Sequence, residues 1–390
     1  MHECHELTRP TRGNMPPRPA CGYYPGCIYF YILEGCNLRC RHCWINPPHE
    51  SSERLKFPYV DLDLFRHIVE QGLRLGLQSV KLTGGEPLIH PEIEAVLDYI
   101  HRRNLKLNIE TNGTALTPAL ADRILASRKP VALSISIDSH RPEVHEWVRG
   151  VKGSFDAAVR GVKIMAAAGH RPQVIMSIMR KTAGDVEGLV ALAQSIGAGS
   201  VKFNLVTPTA RGEIMHEKGE VLTIGELRDL GRFIEEELQP RAKIRLLYSH
   251  PPSFRTMRSI KARPRIAGCG IFRIIGVLGT GKYALCGIGE SLPDFVFGDA
   301  RTDGLEDVWN RTPMLNRIRE GLPAKLTGVC SDCLMKNGCL GSCIANNYYS
   351  YGELFAPHRF CQGAYESGLF PKSRLVPGSA HDRDYVEATG

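Results

Sequence analysis

The sequence predicts an α/β protein in which a parallel sheet of six strand–helix repeats is followed by a smaller, cysteine-rich domain. Three observations carry this expectation. Apolar, β-rich runs alternate with helix-period segments from residue 28 to about residue 240. Gly76, Gly169 and Gly197 stand where helices should end. Beyond residue 240 the alternation stops, and glycines, short strands and regularly spaced cysteines take over.

Residues 1–27 are rich in Pro and Gly and carry Cys4, Cys21 and Cys27 without tight spacing. They read as an irregular extension, too short for an added peptide-binding domain, since independent domains seldom fall below about 40 residues without help. Strands are expected at 28–33, 79–83, 105–110, 131–137, 173–179 and 200–206. Helices are expected at 62–75, 91–103, 118–126, 155–168, 185–196 and 224–238. Such repeats pair in parallel through right-handed crossovers, and their sites gather at the carboxyl ends of the strands. Asn108, Glu110 and Asn112 share one strand face, as do Ser134, Ser136 and Asp138, and Lys202 and Asn204. Strands buried on both sides should be nearly continuous apolar runs, so these faces imply a polar lumen. Residues 28–240 then form the first domain. Residues 241–370 form a second, whose core is too poor to fold without metal, and 371–390 form a polar, loose tail.

The chain has 390 residues, of which 43% are hydrophobic and 23% charged, with a net charge of +8. No run approaches the ~18 apolar residues of a membrane span. The start lacks the apolar stretch of a secretory signal. A cytoplasmic, reducing location follows, in which thirteen cysteines read as metal ligands or catalytic groups. The densest basic run, Arg255, Arg258, Lys261, Arg263 and Arg265, lacks the interleaved aromatics of a nucleic-acid binder. It reads as a solvated basic face. Docking of an acidic electron donor or peptide there is the weaker reading.

Cys36, Cys40 and Cys43 stand at C-x₃-C-x₂-C spacing directly after the first strand. Three thiolates so spaced can close around one cubane. A [4Fe–4S] cluster takes four ligands and the next cysteine is Cys269, so one iron is left for something that is not protein. A zinc site is the alternative, but zinc usually takes paired C-x₂-C knuckles. Thr83-Gly84-Gly85-Glu86-Pro87 ends the second strand. Its glycines let backbone approach a ligand closely, and Glu86 offers a carboxylate to an ammonium group.

With these two motifs one strand apart, the chain resembles the radical S-adenosylmethionine (SAM) superfamily over roughly residues 28–240. The resemblance implies a partial (βα)₆ TIM-like barrel. It implies that Cys36, Cys40 and Cys43 hold the catalytic [4Fe–4S] cluster and that the amino and carboxylate groups of SAM bind its open iron. Thr83, Gly84, Gly85 and Glu86 match the motif at the amino group. Ser136 and Asp138 match positions near the ribose and carboxylate, with Arg149 beside them. His42 occupies the adenine-contacting place, commonly Tyr or Phe, and Asn204 is counted with the cofactor-binding residues. In this family an electron from the reduced cluster cleaves SAM, and the resulting 5′-deoxyadenosyl radical takes a hydrogen atom from the substrate.

Cys330-x₂-Cys333-x₅-Cys339-x₃-Cys343, preceded by Cys269 and Gly281-x₄-Cys286 and followed by Cys361, admits two zinc knuckles but resembles the SPASM domain of peptide-modifying radical SAM enzymes. That resemblance implies one auxiliary [4Fe–4S] cluster on Cys330, Cys333, Cys339 and Cys361. A second, nearer the active site, would sit on Cys269, Cys286 and Cys343, making three clusters in all. The fourth ligand of the latter is left open among Cys21, Cys27, His250 and a substrate thiol. Gly287 follows Cys286 where sulfatase-maturing relatives carry Asp, which disfavours that branch. The leading expectation is therefore a peptide maturase that installs a crosslink, a thioether or an epimerised residue. Its implied partners are a peptide substrate, a separate leader-binding protein and a flavodoxin- or ferredoxin-like electron donor. Oxidative decarboxylation of a haem precursor is the competing reading, and a zinc-stabilised binding protein the third.

Overall fold

The computed structural model describes residues 22–49, 57–262 and 270–386. Strand β1 (Cys27–Leu33, CIYFYIL) is buried along its whole length, as its aromatic and β-branched composition requires. It is followed by β2 (Ser79–Gly84), β3 (Lys106–Thr111), β4 (Val131–Ser136), β5 (Gln173–Ile178) and β6 (Ser200–Leu205). All six lie within a residue of their expected limits and pair in parallel in that order.

The pleat divides each strand between two environments. Ile28, Phe30 and Ile32 of β1, with Val80, Leu82, Leu107, Ile109, Leu133, Ile135, Val174, Met176, Val201 and Phe203, face the helices and form the main core. Tyr29, Lys81, Glu110, Ser136, Ser177, Lys202 and Asn204 take the opposite phase and line a cavity. The sheet is an open, partial barrel around a polar lumen.

The alternation does not stop at residue 240. β7 (Arg245–Tyr248) pairs in parallel with β6. It is only four residues long and begins on an exposed arginine, which hides it from a pattern search. The cysteine-rich unit then returns to the other edge. β8 (Ile274–Val277) pairs in parallel with β1, and β9 (Lys282–Ala284) and β10 (Val296–Asp299) follow antiparallel. One sheet of ten strands, in the order β10-β9-β8-β1-β2-β3-β4-β5-β6-β7, thus runs through both units.

Between β4 and residue 224 two short helices were not expected, Pro142–Arg149 and Arg211–Glu217, and both border the cavity. The helix expected at 224–238 is α-helical from Ile224 to Arg232 and widens into a π-turn over Phe233–Leu238. The expected loose tail is, as far as residue 386, part of the fold. Leu334 N donates to Arg374 O (2.8 Å), Val376 N to Asp332 O (2.8 Å) and Tyr385 Oη to Phe370 O (2.6 Å). Leu375 and Tyr385 are buried anchors in an otherwise polar stretch. Among the described residues no helix is long and apolar enough to cross a membrane.

Candidate active site

The Cys36–Cys43 loop leaves β1 and is clamped from two sides. On one side the glycine turn after β2 presses against it: Gly85 N donates to Leu33 O (2.8 Å) and Glu86 N to Gly35 O (3.0 Å). A Cβ on Gly85 would sit 1.8 Å from Gly35 O, so only glycine permits this approach. On the other side the helix Pro142–Arg149 takes the loop's backbone. Arg39 N donates to Arg149 O (2.9 Å) and Arg41 N to Val148 O (2.9 Å). Gly150, at φ 72°, ends that helix where a Cβ would meet Arg39 O at 2.7 Å.

The thiols so gathered resist ionisation. Burial, then the neighbouring Cys40 and Glu86, push the Cys36 thiol up, and burial, then Cys40, raise that of Cys43. Thiols that oppose one another's charge in a buried loop suit cationic iron, which draws the protons off.

A cavity of about 850 Å³ opens above the loop. Its wall brings together Cys36, Cys40, Cys43, His42, Thr83, Gly84, Gly85, Glu86, Ser136, Arg149 and Asn204. His42 Nε2 lies 3.0 Å from Ser177 Oγ, and burial lowers its pKa to about 4, so the ring is neutral. Its Nδ1 is buried without a partner, an orphaned polar atom in a wall expected to receive adenine. Asn204 Oδ1 accepts from Ser249 Oγ (3.0 Å).

Of the expected cofactor contacts, Asp138 is corrected in its placement, while Glu86 stands on the cavity wall and is held there by protein donors. Asp138 is fully buried behind the wall and does not reach the cavity. Its Oδ2 accepts from Arg149 Nε (2.6 Å) and its Oδ1 from Ser177 N (2.9 Å). A carboxylate this deep persists only when paired. Glu86 is 1% exposed, and its oxygens already accept from Leu88 N (3.0 Å), Thr111 Oγ1 (2.5 Å) and Asn112 N (2.8 Å). It ties the glycine turn to β3, and burial raises its pKa.

Sequence reasoning missed Lys81 and Arg211. Lys81 shares the phase of Thr83, two residues on, and that phase was the available signal. Its Nζ lies 2.7 Å from Glu110 Oε1. Burial raises the Glu110 carboxyl, but Lys81 and then Lys202 outweigh it and hold the group ionised. Arg211 had no signal, because it opens one of the unexpected helices. Its N donates to Cys43 O (3.2 Å) and its Nη2 to Pro47 O (3.1 Å).

In the second unit, Cys330, Cys333, Cys339 and Cys361 are buried together. The Cys361 thiol is raised by burial and then by Cys330, Cys339 and Cys333. His358 N and Met335 N donate to Cys330 Sγ and Cys333 Sγ, each at 3.4 Å. Cys286 and Cys343 line the same cavity as the first loop. Burial, then Cys343, push Cys286 up to about 12. Among the described residues no three His, Cys, Asp or Glu side chains converge as one ion's ligands would, whereas a cubane spreads its ligands over separate irons. Cys4, Cys21 and Cys269 lie outside the described residues. Cys27 opens β1 and does not line the cavity, and His250 Nε2 faces Glu235 Oε1 at 3.3 Å.

Burial lowers both His145 and His358 to about 4. Each is neutral when folded and takes a proton near 6.5 when unfolded. Their contribution to stability is full above that value and is lost as the pH falls from 6.5 toward 4, about 2 kcal/mol each at pH 5. Urea midpoints should drop between about pH 7 and about pH 5, and drop less in His145→Gln. An equal drop in the variant would contradict this.

Residues 30–193 match the family model of the radical SAM superfamily, and residues 269–334 that of the SPASM iron–sulfur cluster-binding domain. The chain is 26% identical over 348 residues to the AdoMet-dependent heme synthase of Methanosarcina barkeri, covering 86% of this chain and 96% of that one. It is 27% identical over 364 residues to the mycofactocin maturase MftC of Mycobacterium ulcerans, covering 90% and 92%. The structure of Streptococcus suis SuiB bound to S-adenosylmethionine superimposes with a TM-score of 0.67 at 17% identity, over 87% of this chain and 78% of that one. At that identity the likeness establishes the fold.

Proposed function

The chain belongs to the radical SAM superfamily and carries a C-terminal SPASM domain, and from that premise we propose that it matures a peptide, abstracting a hydrogen atom to install a crosslink, a thioether or an epimerised residue. The observation that carries this reading is the shared cavity. One space is lined both by Cys36, Cys40 and Cys43 and by Cys286 and Cys343, and it reaches the surface at Thr223, Arg258, Ser350 and Arg359. A peptide segment entering there would lie between the two sets of cysteines.

Cys36, Cys40 and Cys43 would hold the SAM-binding [4Fe–4S] cluster. Cys330, Cys333, Cys339 and Cys361 would hold one auxiliary cluster, and Cys269, Cys286 and Cys343 the other. When bound, cluster and SAM supply a one-electron cleavage whose product radical withdraws the substrate hydrogen. The chain's own residues bind and exclude. Thr83, Gly84 and Gly85 bring backbone to the methionine end, and His42 Nδ1, Ser136 and Asn204 offer polar contacts to the nucleoside. The wall's acids, Glu86, Glu110 and Glu235, are already engaged, while Lys202 and Arg211 have no carboxylate within ion-pair distance among the described residues. The cavity therefore favours anionic groups on its guests. An electron donor of the flavodoxin or ferredoxin class and a separate leader-binding protein complete the proposal.

The cationic lining and the heme synthase relative also favour a second reading, decarboxylation of a propionate-bearing haem precursor. Anaerobically reconstituted enzyme with SAM and reductant separates the two. Candidate short peptides should lose two hydrogens on crosslinking, or keep their mass and take up solvent deuterium on epimerisation. Loss of carbon dioxide from a tetrapyrrole, with every peptide unchanged, would replace the peptide reading. Formylglycine formation is disfavoured further by packing, because a Cβ at Gly287 would sit 2.3 Å from the Tyr31 ring.

Cys333→Ala is expected to leave uncoupled SAM cleavage within a few-fold of wild type while product formation falls to background. Deoxyadenosine and product assayed in the same reaction check this, and a parallel fall of both would contradict it.

A further inference from the structure

We propose that Arg149 sets the reducibility of the cluster held by Cys36, Cys40 and Cys43, through a hydrogen bond to Cys40 Sγ, in place of the SAM contact its position in the sequence implied. The inference rests on reading those cysteines as cluster ligands and needs no particular substrate.

Arg149 ends the helix Pro142–Arg149 and is 6% exposed. Its Nη1 lies 3.5 Å from Cys40 Sγ, and its Nε lies 2.6 Å from Asp138 Oδ2. Its main-chain oxygen accepts from Arg39 N, the residue before Cys40, at 2.9 Å. One residue thus grips the loop by backbone and by side chain at the same cysteine. The planar guanidinium suits this, because a rigid fork can present one edge to a carboxylate and another to a sulfur. Asp138, itself fixed by Ser177 N, holds that fork in place, which gives the buried carboxylate a positioning role.

The other two ligands have different surroundings. Cys36 Sγ accepts from the neutral Leu38 N at 3.4 Å. Arg211 lies beside Cys43, but its hydrogen bonds go to the carbonyls of Cys43 and Pro47. Among the described residues, Arg149 is the charged donor to a ligand sulfur of this loop.

Hydrogen bonds to the sulfurs and nearby charge are levers on cluster potential. A cluster gains negative charge when reduced. A fixed cation donating to Cys40 favours that form and raises the potential, easing transfer of one electron from a low-potential flavodoxin- or ferredoxin-class donor. No bond forms or breaks in that step.

The test is an anaerobic redox titration of the reconstituted full-length chain, followed by electron paramagnetic resonance on the signal that changes when SAM is added. In Arg149→Met the midpoint should move to more negative potential by roughly the 59 mV that lowers the reduced fraction tenfold at fixed poise. Arg149→Lys keeps the charge and should recover part of the shift. SAM affinity, measured by equilibrium dialysis, should stay within about threefold. An unchanged midpoint would overturn the proposal, and if SAM bound tenfold more weakly at the same time, Arg149 would be assigned to SAM. If Arg149→Met does not take up iron, Arg149→Lys decides alone: a smaller negative shift supports the proposal and an unmoved midpoint overturns it.

Discussion

Cys40→Ala is expected to reduce 5′-deoxyadenosine formation to the level of enzyme-free buffer. The Cys36–Cys43 loop offers three thiols, and no fourth protein ligand is implied for its cluster. Removing one leaves two, too few to hold a cubane that also binds SAM. Iron content should fall by one cluster, from about twelve atoms per chain to about eight. The auxiliary cysteines belong to other elements and should keep theirs. Loss of the fold would not be the cause. Cys40 is 9% exposed, and removing one sulfur from such a site should cost on the order of 1 kcal/mol, which a urea midpoint would register as a small shift. Cys27→Ala is the matched control, because Cys27 is fully buried yet outside the cavity. Its deoxyadenosine rate should match wild type. Continued deoxyadenosine formation by Cys40→Ala would sink the central assignment.

The grouping of Cys36, Cys40 and Cys43 on the cavity wall was legible because it is local: three cysteines within eight residues, after a short apolar, β-rich run. β2 to β6 were legible because each carries one apolar phase and one with polar residues, and β1 because it is a short apolar, β-rich run. The same rule misplaced Asp138. Alternation from Ser134 through Ser136 puts residue 138 on the lumen face, but β4 ends at Ser136. Beyond it the chain turns, and the carboxylate falls beneath Arg149 instead of into the cavity. Arg211 and β7 were illegible for a different reason. A helix of seven residues and a strand of four are each too short to show a period. Glu86 was legible as the acid of the glycine turn, but the protein donors that hold it were not. Its three donors come from β3 and from its own turn, contacts that exist only after the sheet has paired.

Gly85→Ala should cost about 10²-fold in deoxyadenosine rate, although the residue offers no side chain to SAM or iron. Gly85 is not forced into glycine-only backbone, since the positive φ of this turn belongs to Gly84. What forbids alanine is contact. The added Cβ would lie 1.8 Å from Gly35 O, 2.4 Å from Gly35 C and 3.1 Å from Cys36 N. All three are backbone atoms, so no rotamer relieves the overlap. Ordinary carbon contacts sit near 3.5 Å. The glycine turn must therefore withdraw from the loop by more than 1 Å, loosening Gly85 N→Leu33 O and Glu86 N→Gly35 O, the bonds that register it against Cys36. A displacement of that size at a reacting centre can cost about 10²-fold in rate. The deoxyadenosine rate should fall by that order. Far-ultraviolet circular dichroism should be unchanged, because the core behind β1 and β2 is made by the opposite faces of both strands. Gly184→Ala is the control: nothing stands within 4 Å of its Cβ position, and the rate should not change. Wild-type activity in Gly85→Ala would mean that the cysteine loop is positioned without this contact, and the helix Pro142–Arg149 would then have to hold it alone.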